Sequence, residues 1–210
     1  MAMMRTQSIK EFLGNLSSSS PAPGGGSVAA LSGALAAGLV AMVCRLTIGK
    51  KKYADVEADM LEILPHAESL REEFLHLADE DTDAFNEVMR AYGMPKETDA
   101  EKQVRGEAIQ KAMHVAADIP YEVLEMCREG LELSREVASK GNTNSISDAG
   151  VSALMFYAAA FSAALNVRIN LGSFSDQEDV ARRGENVHDI MSVVQDLRDE
   201  VLAIVESKLG

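Results

Sequence analysis

Residues 21–44 read PAPGGGSVAALSGALAAGLVAMVC, in which two prolines and three consecutive glycines stand directly before a run of small apolar residues. From Val28 to Cys44 the run contains no charged residue, and it predicts a buried helix that begins near Ser27. Glycine forfeits backbone entropy, so three glycines indicate a need for flexibility or for missing side chains. The unpaired N–H groups of such a helix start attract an anion or a ligand's carbonyl oxygen.

A second charge-free run, AGVSALMFYAAAFSAALNV, extends from Ala149 to Val167. Both runs approach the length of a membrane span. Their alanine, glycine and serine residues are only weakly hydrophobic, however, and the other predicted helices carry charges on one face. We therefore predict two central Ala/Gly-rich helices surrounded by amphipathic ones, with no membrane insertion.

Helical periodicity extends over nearly the whole chain, which predicts an all-α, single-domain helical bundle over residues 1–210. We expect a short first helix capped by Thr6, a long segment that Pro65 interrupts or kinks, and a helix that starts with a capping box at Thr98. Pro120 is expected to open a further helix. The apolar residues of the last helix recur at steps of three and four, typical of a bundle or dimer seam: Val187, Ile190, Val194, Leu197, Val201 and Ile204.

Small residues recur on one side of the first charge-free run, at Ala30, Gly33, Ala37 and Ala41. Such residues let another helix backbone approach closely. This close approach serves bundle packing or a subunit interface equally well.

Composition excludes several classes of protein. A net charge of −13 over 210 residues argues against nucleic-acid binding, because such proteins show a basic face. Cys44 and Cys127 lie in apolar patterns, and the sequence shows no signal peptide, so we expect buried, reduced thiols and a cytoplasmic protein. The four histidines form no metal-binding motif, and no metal site is predicted.

One carboxylate breaks an apolar stripe of the long helical segment. Asp81 falls near the centre of this stripe, whereas Asp79 and Asp83 point away from it. In the next helix Arg105 lies close to the centre of the buried face, so that Asp81 and Arg105 could meet. The pair is either an interior salt bridge that fixes the packing register or part of a charged pocket between helices.

The first charge-free run ends in TIGKKKY, where Lys50, Lys51 and Lys52 form a concentrated basic patch. Lysines at a helix C-terminus often only complement the helix dipole. In an acidic chain they would also suit a polyanionic tail of a ligand. The glycines at residues 24–26 match neither a P-loop nor a dinucleotide fingerprint, because no GK[ST] follows them and no strand precedes them.

Several motifs in order resemble the cyclodeaminase/cyclohydrolase family of one-carbon folate enzymes: SPAPGGGSVAALSGALAAGLVAMV, GKKKY, EDTDAF, MPK, and GNTNSISDAG with NVRIN downstream. The resemblance runs from about Phe12 to Asn170. It implies an all-helical homodimer that acts on a tetrahydrofolate carrying a one-carbon amidine. No formiminotransferase half is seen, so the chain is expected to act alone or with a separate formiminotransferase.

Two reactions fit the resemblance. In one, N10 of 5-formiminotetrahydrofolate attacks the formimino carbon and ammonia leaves, which gives 5,10-methenyltetrahydrofolate. In the other, water attacks the methenyl carbon and yields 10-formyltetrahydrofolate. Both need proton transfer at nitrogen and a carboxylate that stabilises a cationic amidinium, and neither needs a cofactor beyond the folate.

The resemblance assigns roles to individual residues. Asp81 and Asp148 match acidic positions of the family and are the candidate catalytic residues, with Arg105 in support. The candidate substrate-binding residues are those of the glycine-rich turn, the lysine patch and four asparagines: Pro23, Gly24, Gly25, Gly26, Ser27, Lys50, Lys51, Lys52, Asn142, Asn144, Asn166 and Asn170. In a purely structural interpretation, Asn142 and Asn144 are turn and cap residues, and the glycines serve subunit packing. The alternative function is a non-catalytic helical dimer or assembly module on the same scaffold.

Overall fold

The computed structural model describes residues 3–210, and within that range the chain forms helices and no strand. The all-α prediction is confirmed. Three short 3-10 helices occur at Met4–Thr6, Lys51–Val56 and Thr143–Ser145. The six α-helices are α1 (Ile9–Leu16), α2 (Gly25–Thr47), α3 (Glu57–Tyr92), α4 (Asp99–Lys140), α5 (Ile146–Leu171) and α6 (Gln177–Leu209).

The two charge-free runs form the central helices α2 and α5, as predicted. They pack side by side and run antiparallel, with Gly25 beside Asn166 at one end and Val43 beside Gly141 at the other. Helix α3 covers one flank of α2, α6 packs on α5, and α4 contacts α2, α3, α5 and α6. By length and composition alone α2 and residues 143–171 could span a membrane, yet 61% and 50% of their most apolar segments are buried inside the bundle.

Small residues bring the helices together inside one protomer. All four members of the predicted small-residue stripe on α2 are buried. A Cβ atom added to Gly33 would lie 2.6 Å from the Phe74 ring, and one added to Gly130 would lie 2.3 Å from the Phe156 ring. The stripe therefore serves bundle packing, because aromatic rings of neighbouring elements occupy the space of the missing side chains.

Neither internal proline ends a helix. Helix α3 continues through Pro65 and α4 continues through Pro120, so the predicted start of a new helix at Pro120 is wrong. Proline has no N–H for the carbonyl four residues earlier. In α4 that carbonyl belongs to Ala116, and the side-chain amide of Asn170 donates to it over 2.6 Å. This substitute hydrogen bond satisfies the carbonyl and lets the helix continue.

One of the two predicted helix caps is confirmed and the other is wrong. Thr98 and Glu101 form the predicted capping box of α4. The predicted cap at Thr6 is wrong, because Ser8 caps α1 in a capping box with Glu11. The side chain of Thr6 instead donates to the Met3 carbonyl in the preceding 3-10 turn.

The core is continuous across the bundle. Val187, Val194 and Val201 on α6 are fully buried, so the predicted seam packs within the protomer. Cys44 and Cys127 are free and buried, as expected, and burial raises the pKa of the Cys44 thiol to about 11.

Candidate active site

The glycine-rich turn borders a cavity of about 250 Å³ at the end of the bundle where α2 begins. Below, it is called the α2-start cavity. Its wall combines Gly24–Gly26 with residues of α3, α4 and α5, so four separate parts of the chain contribute: Pro21, Ala22, Asp81, Phe85, Val88, Met113, Ala116, Asn166 and Asn170 complete it. The turn, Asp81 and two of the predicted asparagines are thus brought together.

Asp81 lies against the first turn of α2, where Gly26 makes room for it. A Cβ atom on residue 26 would be 2.0 Å from Asp81 Oδ1, closer than any real contact. Ser27 Oγ donates to Asp81 Oδ2 over 2.7 Å and lies 3.3 Å from Thr82 Oγ1. The α2 N-terminus has no side-chain cap of its own. Glycine is required at residue 26 because any side chain there would collide with the Asp81 carboxylate.

Two opposing effects act on the pKa of the Asp81 carboxyl. Burial raises its pKa above the ordinary value of 3.8, and the hydrogen bonds from Ser27 partly counter that rise. A carboxylate whose charge is disfavoured by burial gains when a cation binds beside it. A carboxyl with a raised pKa that lines a cavity is a candidate acid or base.

Asn166 and Asn170 line the α2-start cavity, and the side-chain amide of each donates one hydrogen bond. The amide nitrogen of Asn166 donates to the Ser162 carbonyl over 2.8 Å, and that of Asn170 donates to Ala116. Both amide groups are therefore fixed in orientation. Among residues 3–210 no donor contacts either side-chain oxygen, so the two oxygens are open to N–H donors of a ligand.

The predicted contact between Asp81 and Arg105 is wrong. The Arg105 guanidinium donates to the Tyr92 carbonyl over 3.1 and 3.3 Å, and it lies over the Tyr92 ring at 5.6 Å. This position completes the C-terminal end of α3, where a cation is favourable. The face of α4 that was expected to be buried is buried at Ala112 and Ile119 but not at Val104 and Val115, which are 55% and 48% exposed.

Pro23 and Asp79 belong to a neighbouring cavity of about 200 Å³ beside the N-terminal segment. The backbone N–H of Met4 donates to Asp79, and the Arg5 guanidinium pairs with the same carboxylate at 3.2 Å. Asp79 thus points away from the apolar stripe, as predicted, and anchors the start of the chain. Asp83 is exposed.

The remaining predicted residues lie at the opposite end of α2. Asp148 is half-buried in the first turn of α5, and Lys50–Lys52 follow the end of α2. The distance along α2 from Gly26 to Thr47 is about 32 Å at 1.5 Å per residue. Within one chain the structure therefore does not bring these residues to the α2-start cavity.

Asn142 ties this second end together. Its backbone N–H donates to Thr47 Oγ1 and its side-chain amide donates to the Leu46 carbonyl, each over 2.9 Å. Its side-chain oxygen accepts from the backbone N–H of Asn144 at 3.0 Å. The cap role considered for Asn142 is confirmed, while the Asn144 side chain is exposed.

Tyr53 is a residue that the sequence reasoning missed. Its hydroxyl accepts from the backbone N–H of Thr143 over 2.9 Å and lies 3.0 Å from Thr143 Oγ1 and 3.3 Å from Asn142 Oδ1. The Lys52 ammonium lies 5.1 Å from the ring centroid. These contacts, chiefly those with Thr143, lower the pKa of Tyr53 to about 8. The GKKKY motif contained this residue, but nothing in its spacing pointed to Thr143.

Comparisons with known proteins place this chain in one family. Methenyltetrahydrofolate cyclohydrolase of Methylorubrum extorquens is 44% identical over 99% of this chain and 100% of its own length. The crystal structure of formiminotetrahydrofolate cyclodeaminase from Thermotoga maritima superposes with a TM-score of 0.87 at 30% identity, covering 98% of this chain and 99% of that one.

Longer relatives share the same unit. Formimidoyltransferase-cyclodeaminase of Mus musculus is 30% identical over 95% of this chain, which spans 36% of the mouse protein. Residues 8–189 match the family described as Formiminotransferase-cyclodeaminase. The chain belongs to the formiminotransferase-cyclodeaminase family.

Proposed function

We propose that this protein is a methenyltetrahydrofolate cyclohydrolase whose reaction takes place in the α2-start cavity. The observation that carries the proposal is the half-buried Asp81 carboxylate, held against Gly26 by Ser27 in a cavity that Asn166 and Asn170 also line. The relative of that name is 44% identical over essentially both whole chains, which supports this reaction over others of the family.

Asp81 would act first as a base and then as an acid. Water adds to the methenyl carbon of the cationic substrate, a C–O bond forms, and Asp81 takes one water proton. The neutral tetrahedral carbon then keeps its bond to N10 and breaks its bond to N5 as Asp81 returns the proton to N5. The hydroxyl proton leaves to solvent as the formyl C=O forms, so one proton is released per turnover.

The environment of Asp81 suits this sequence of steps. The carboxylate faces a substrate that carries a positive amidinium, and their attraction offsets part of the burial cost of Asp81. Because burial raises its pKa, the protonated form needed for the second step costs less than for an exposed aspartate. The oxygens of Asn166 and Asn170 would accept from N–H groups of the pterin, and no cofactor beyond the folate takes part.

Formiminotetrahydrofolate cyclodeaminase activity is the second candidate. The solved relative of that name covers nearly the whole chain at a TM-score of 0.87. In that reaction N10 attacks the formimino carbon, and the proton delivered by Asp81 would go to the leaving ammonia instead of N5. The same carboxylate serves both reactions, so the choice between them rests on the substrate offered.

The experiment measures methenyl absorbance with purified protein and each substrate in turn. Methenyltetrahydrofolate should lose absorbance on hydrolysis, whereas formiminotetrahydrofolate should gain it if cyclodeaminase activity is present. Asp81→Asn keeps the shape of the side chain and should lower turnover about 10²-fold or more, the usual scale for a positioned acid or base. Asp83→Asn, an exposed neighbour on the same helix, is the matched control.

Two outcomes would count against the proposal. Wild-type protein that binds and converts neither folate would favour the non-catalytic assembly module. Normal turnover by Asp81→Asn would make that carboxylate structural, and Asp148 would become the better candidate for the catalytic role.

We also infer that the protein is a homodimer. The accessible surface is 11088 Å², against about 9,500 Å² expected for a compact monomer of this mass. Part of the excess is apolar, because Leu154, Phe161 and Leu165 on α5 are each about half exposed. Burial of such a face in a dimer is favourable. Light scattering should give twice the chain mass, and a monomer at assay concentration would contradict the inference.

A further inference from the structure

Two prolines lie inside helices of this bundle, and each leaves one backbone carbonyl without its usual donor. Pro65 in α3 removes the N–H that would bond to the Leu61 carbonyl. Pro120 in α4 removes the one that would bond to the Ala116 carbonyl. Pro65 and Leu61 are both exposed, on a side of α3 where water can serve as the missing donor. Pro120 is buried, and Ala116 forms part of the wall of the α2-start cavity.

The missing donor at Ala116 is supplied by a residue that lines the same cavity. The side-chain amide of Asn170 on α5 donates to the Ala116 carbonyl over 2.6 Å. Asn166, one helical turn earlier, is bonded differently, since its amide donates to the Ser162 carbonyl of its own helix. Pro120 therefore leaves an acceptor on α4 that holds one of the two asparagines of the α2-start cavity.

The chain that follows α5 is held against α4 by other contacts as well. The Gln110 side-chain amide donates to the Ser173 carbonyl over 3.1 Å. The His114 ring packs on the Phe174 ring, with the two centroids 4.1 Å apart. The hydrogen bond from Asn170 is thus one of several that join these segments, and the effect that belongs to it alone is to fix the Asn170 side chain.

We propose that Pro120 is a positioning residue for the folate, which acts through Asn170. By withholding an N–H from the Ala116 carbonyl, Pro120 reserves that carbonyl for the Asn170 amide and fixes the side chain before substrate enters. The proposal rests on the proposed function, because it takes the pterin as the group that Asn170 contacts. Pro120 itself is not part of the cavity wall.

The fixed amide offers a ligand two advantages. The nitrogen of Asn170 is committed to a carbonyl, so the group left for a ligand to bond with is chiefly the side-chain oxygen, an acceptor. A freely turning amide would present its nitrogen or its oxygen in turn. Ordering one such side chain on binding weakens affinity by about 2- to 10-fold, and a folate that meets Asn170 already held avoids that loss.

Pro120→Ala returns an N–H to the Ala116 carbonyl and tests the proposal directly. The variant should fold, because alanine is the best helix former. It should weaken the binding of tetrahydrofolate about 2- to 10-fold in titration calorimetry, the loss expected when the ligand must order one side chain. Tetrahydrofolate carries no one-carbon unit and cannot react, so this measurement is independent of turnover.

Steady-state kinetics distinguish positioning from general damage to the site. On methenyltetrahydrofolate the KM of Pro120→Ala should rise by a similar factor while kcat stays near that of wild type. The Asp81 carboxylate is held by Ser27 on α2 and not by α4, so the reacting group should keep its place. Pro65→Ala is the matched control, because it makes the same change at an exposed position of α3 and should alter neither affinity nor KM.

Asn170→Leu completes a double-variant cycle. Alone, it leaves the Ala116 carbonyl without a donor and should lower the urea midpoint of unfolding. Combined with Pro120→Ala, the restored N–H satisfies that carbonyl, so the midpoint should recover. The affinity for tetrahydrofolate should not recover, because the asparagine is absent. When Asn170→Leu is already present, Pro120→Ala should leave that affinity unchanged, as required of a residue that acts only through Asn170.

Two results would overturn the proposal. One is wild-type affinity and KM in Pro120→Ala, which would mean that Asn170 keeps its orientation without the proline. The other is recovery of both stability and affinity in the double variant, which would mean that the hydrogen bond serves only the continuity of α4.

The same measurements separate this inference from the proposed function. A wild-type protein that converts neither folate, yet binds tetrahydrofolate more tightly than Pro120→Ala does, would refute the assigned reaction and support the positioning role. A protein that hydrolyses methenyltetrahydrofolate with the same KM in both forms would keep the reaction and refute the positioning role. A wild-type protein that does not bind tetrahydrofolate would overturn both.

Discussion

Gly26→Ala tests the geometry of the candidate site without changing any polar group. A Cβ at residue 26 lies 2.0 Å from Asp81 Oδ1 and 2.6 Å from its Cγ, whereas ordinary contact begins near 3.4 Å. The carboxylate must therefore move by about 1.4 Å or more, because the α2 backbone is held between α3 and α5. The movement breaks the hydrogen bond from Ser27.

The expected losses differ between activity and stability. A displacement of about 1 Å at a reacting group lowers turnover about 10²-fold, so kcat should fall by at least that factor. Overpacking costs about 1–3 kcal/mol, and the better helix propensity of alanine offsets up to about 1 kcal/mol. The free energy of unfolding should then fall by at most about 3 kcal/mol, and the fold should survive.

Methenyl absorbance measures kcat, and urea unfolding followed by circular dichroism measures stability. Gly184→Ala is the control, because it adds a methyl group in a helix with no atom within 4 Å. If Gly26→Ala acts only through Asp81, the double variant Gly26→Ala/Asp81→Asn should be no slower than Asp81→Asn alone. Full activity of Gly26→Ala, or losses that multiply in the double variant, would refute the reasoning.

Three further predictions concern Asn170, Asp81 and Tyr53. Asn170→Leu leaves the Ala116 carbonyl in α4 without its donor and should cost about 1–3 kcal/mol of unfolding free energy in urea titrations, whereas Asn144→Leu on the surface should cost little. Folding raises the pKa of Asp81, so the folded state favours the protonated carboxyl. The free energy of unfolding therefore falls as pH rises from the ordinary aspartate pKa through the raised pKa of the folded state. Asp81→Asn should therefore unfold at higher urea than wild type at pH 7, and the difference should vanish as pH falls below the ordinary aspartate range; a constant difference would contradict the burial argument. Ultraviolet titration should detect one tyrosinate forming near pH 8 that is absent in Tyr53→Phe, because the hydrogen bonds from Thr143 stabilise the ionised form.

The position of Asp81 could be predicted because helical periodicity reports which way a side chain points. Asp81 falls in a stripe whose other members, among them Leu77, Ala84 and Val88, are buried in the structure. The three glycines indicated a backbone that something approaches closely. Periodicity gave no hint that the same carboxylate fills the space of the missing Gly26 side chain, since that contact joins residues 55 positions apart in the chain.

Arg105 shows the limit of the same reasoning. A helical wheel gives direction around the axis but not how far along the axis the neighbouring helices extend. Arg105 lies beside Tyr92, the last residue of α3, and donates to its carbonyl instead of contacting Asp81. Pro120 failed for a related reason, because the donor that replaces its missing N–H comes from Asn170 on another helix. Contacts between distant segments decide both cases.

The distribution of side-chain size around α2 carries information that the small-residue stripe alone did not. Most of its alanines face inward, where α3 and α5 approach closely, together with Val40 and Val43, whereas Leu35 and Leu46 are 55% and 42% exposed. A helix of an isolated bundle would place its larger apolar side chains inward, since burial of each is favourable by about 1.5–3 kcal/mol. The two exposed leucines leave apolar area uncovered, and a second copy of the chain would gain free energy by covering it.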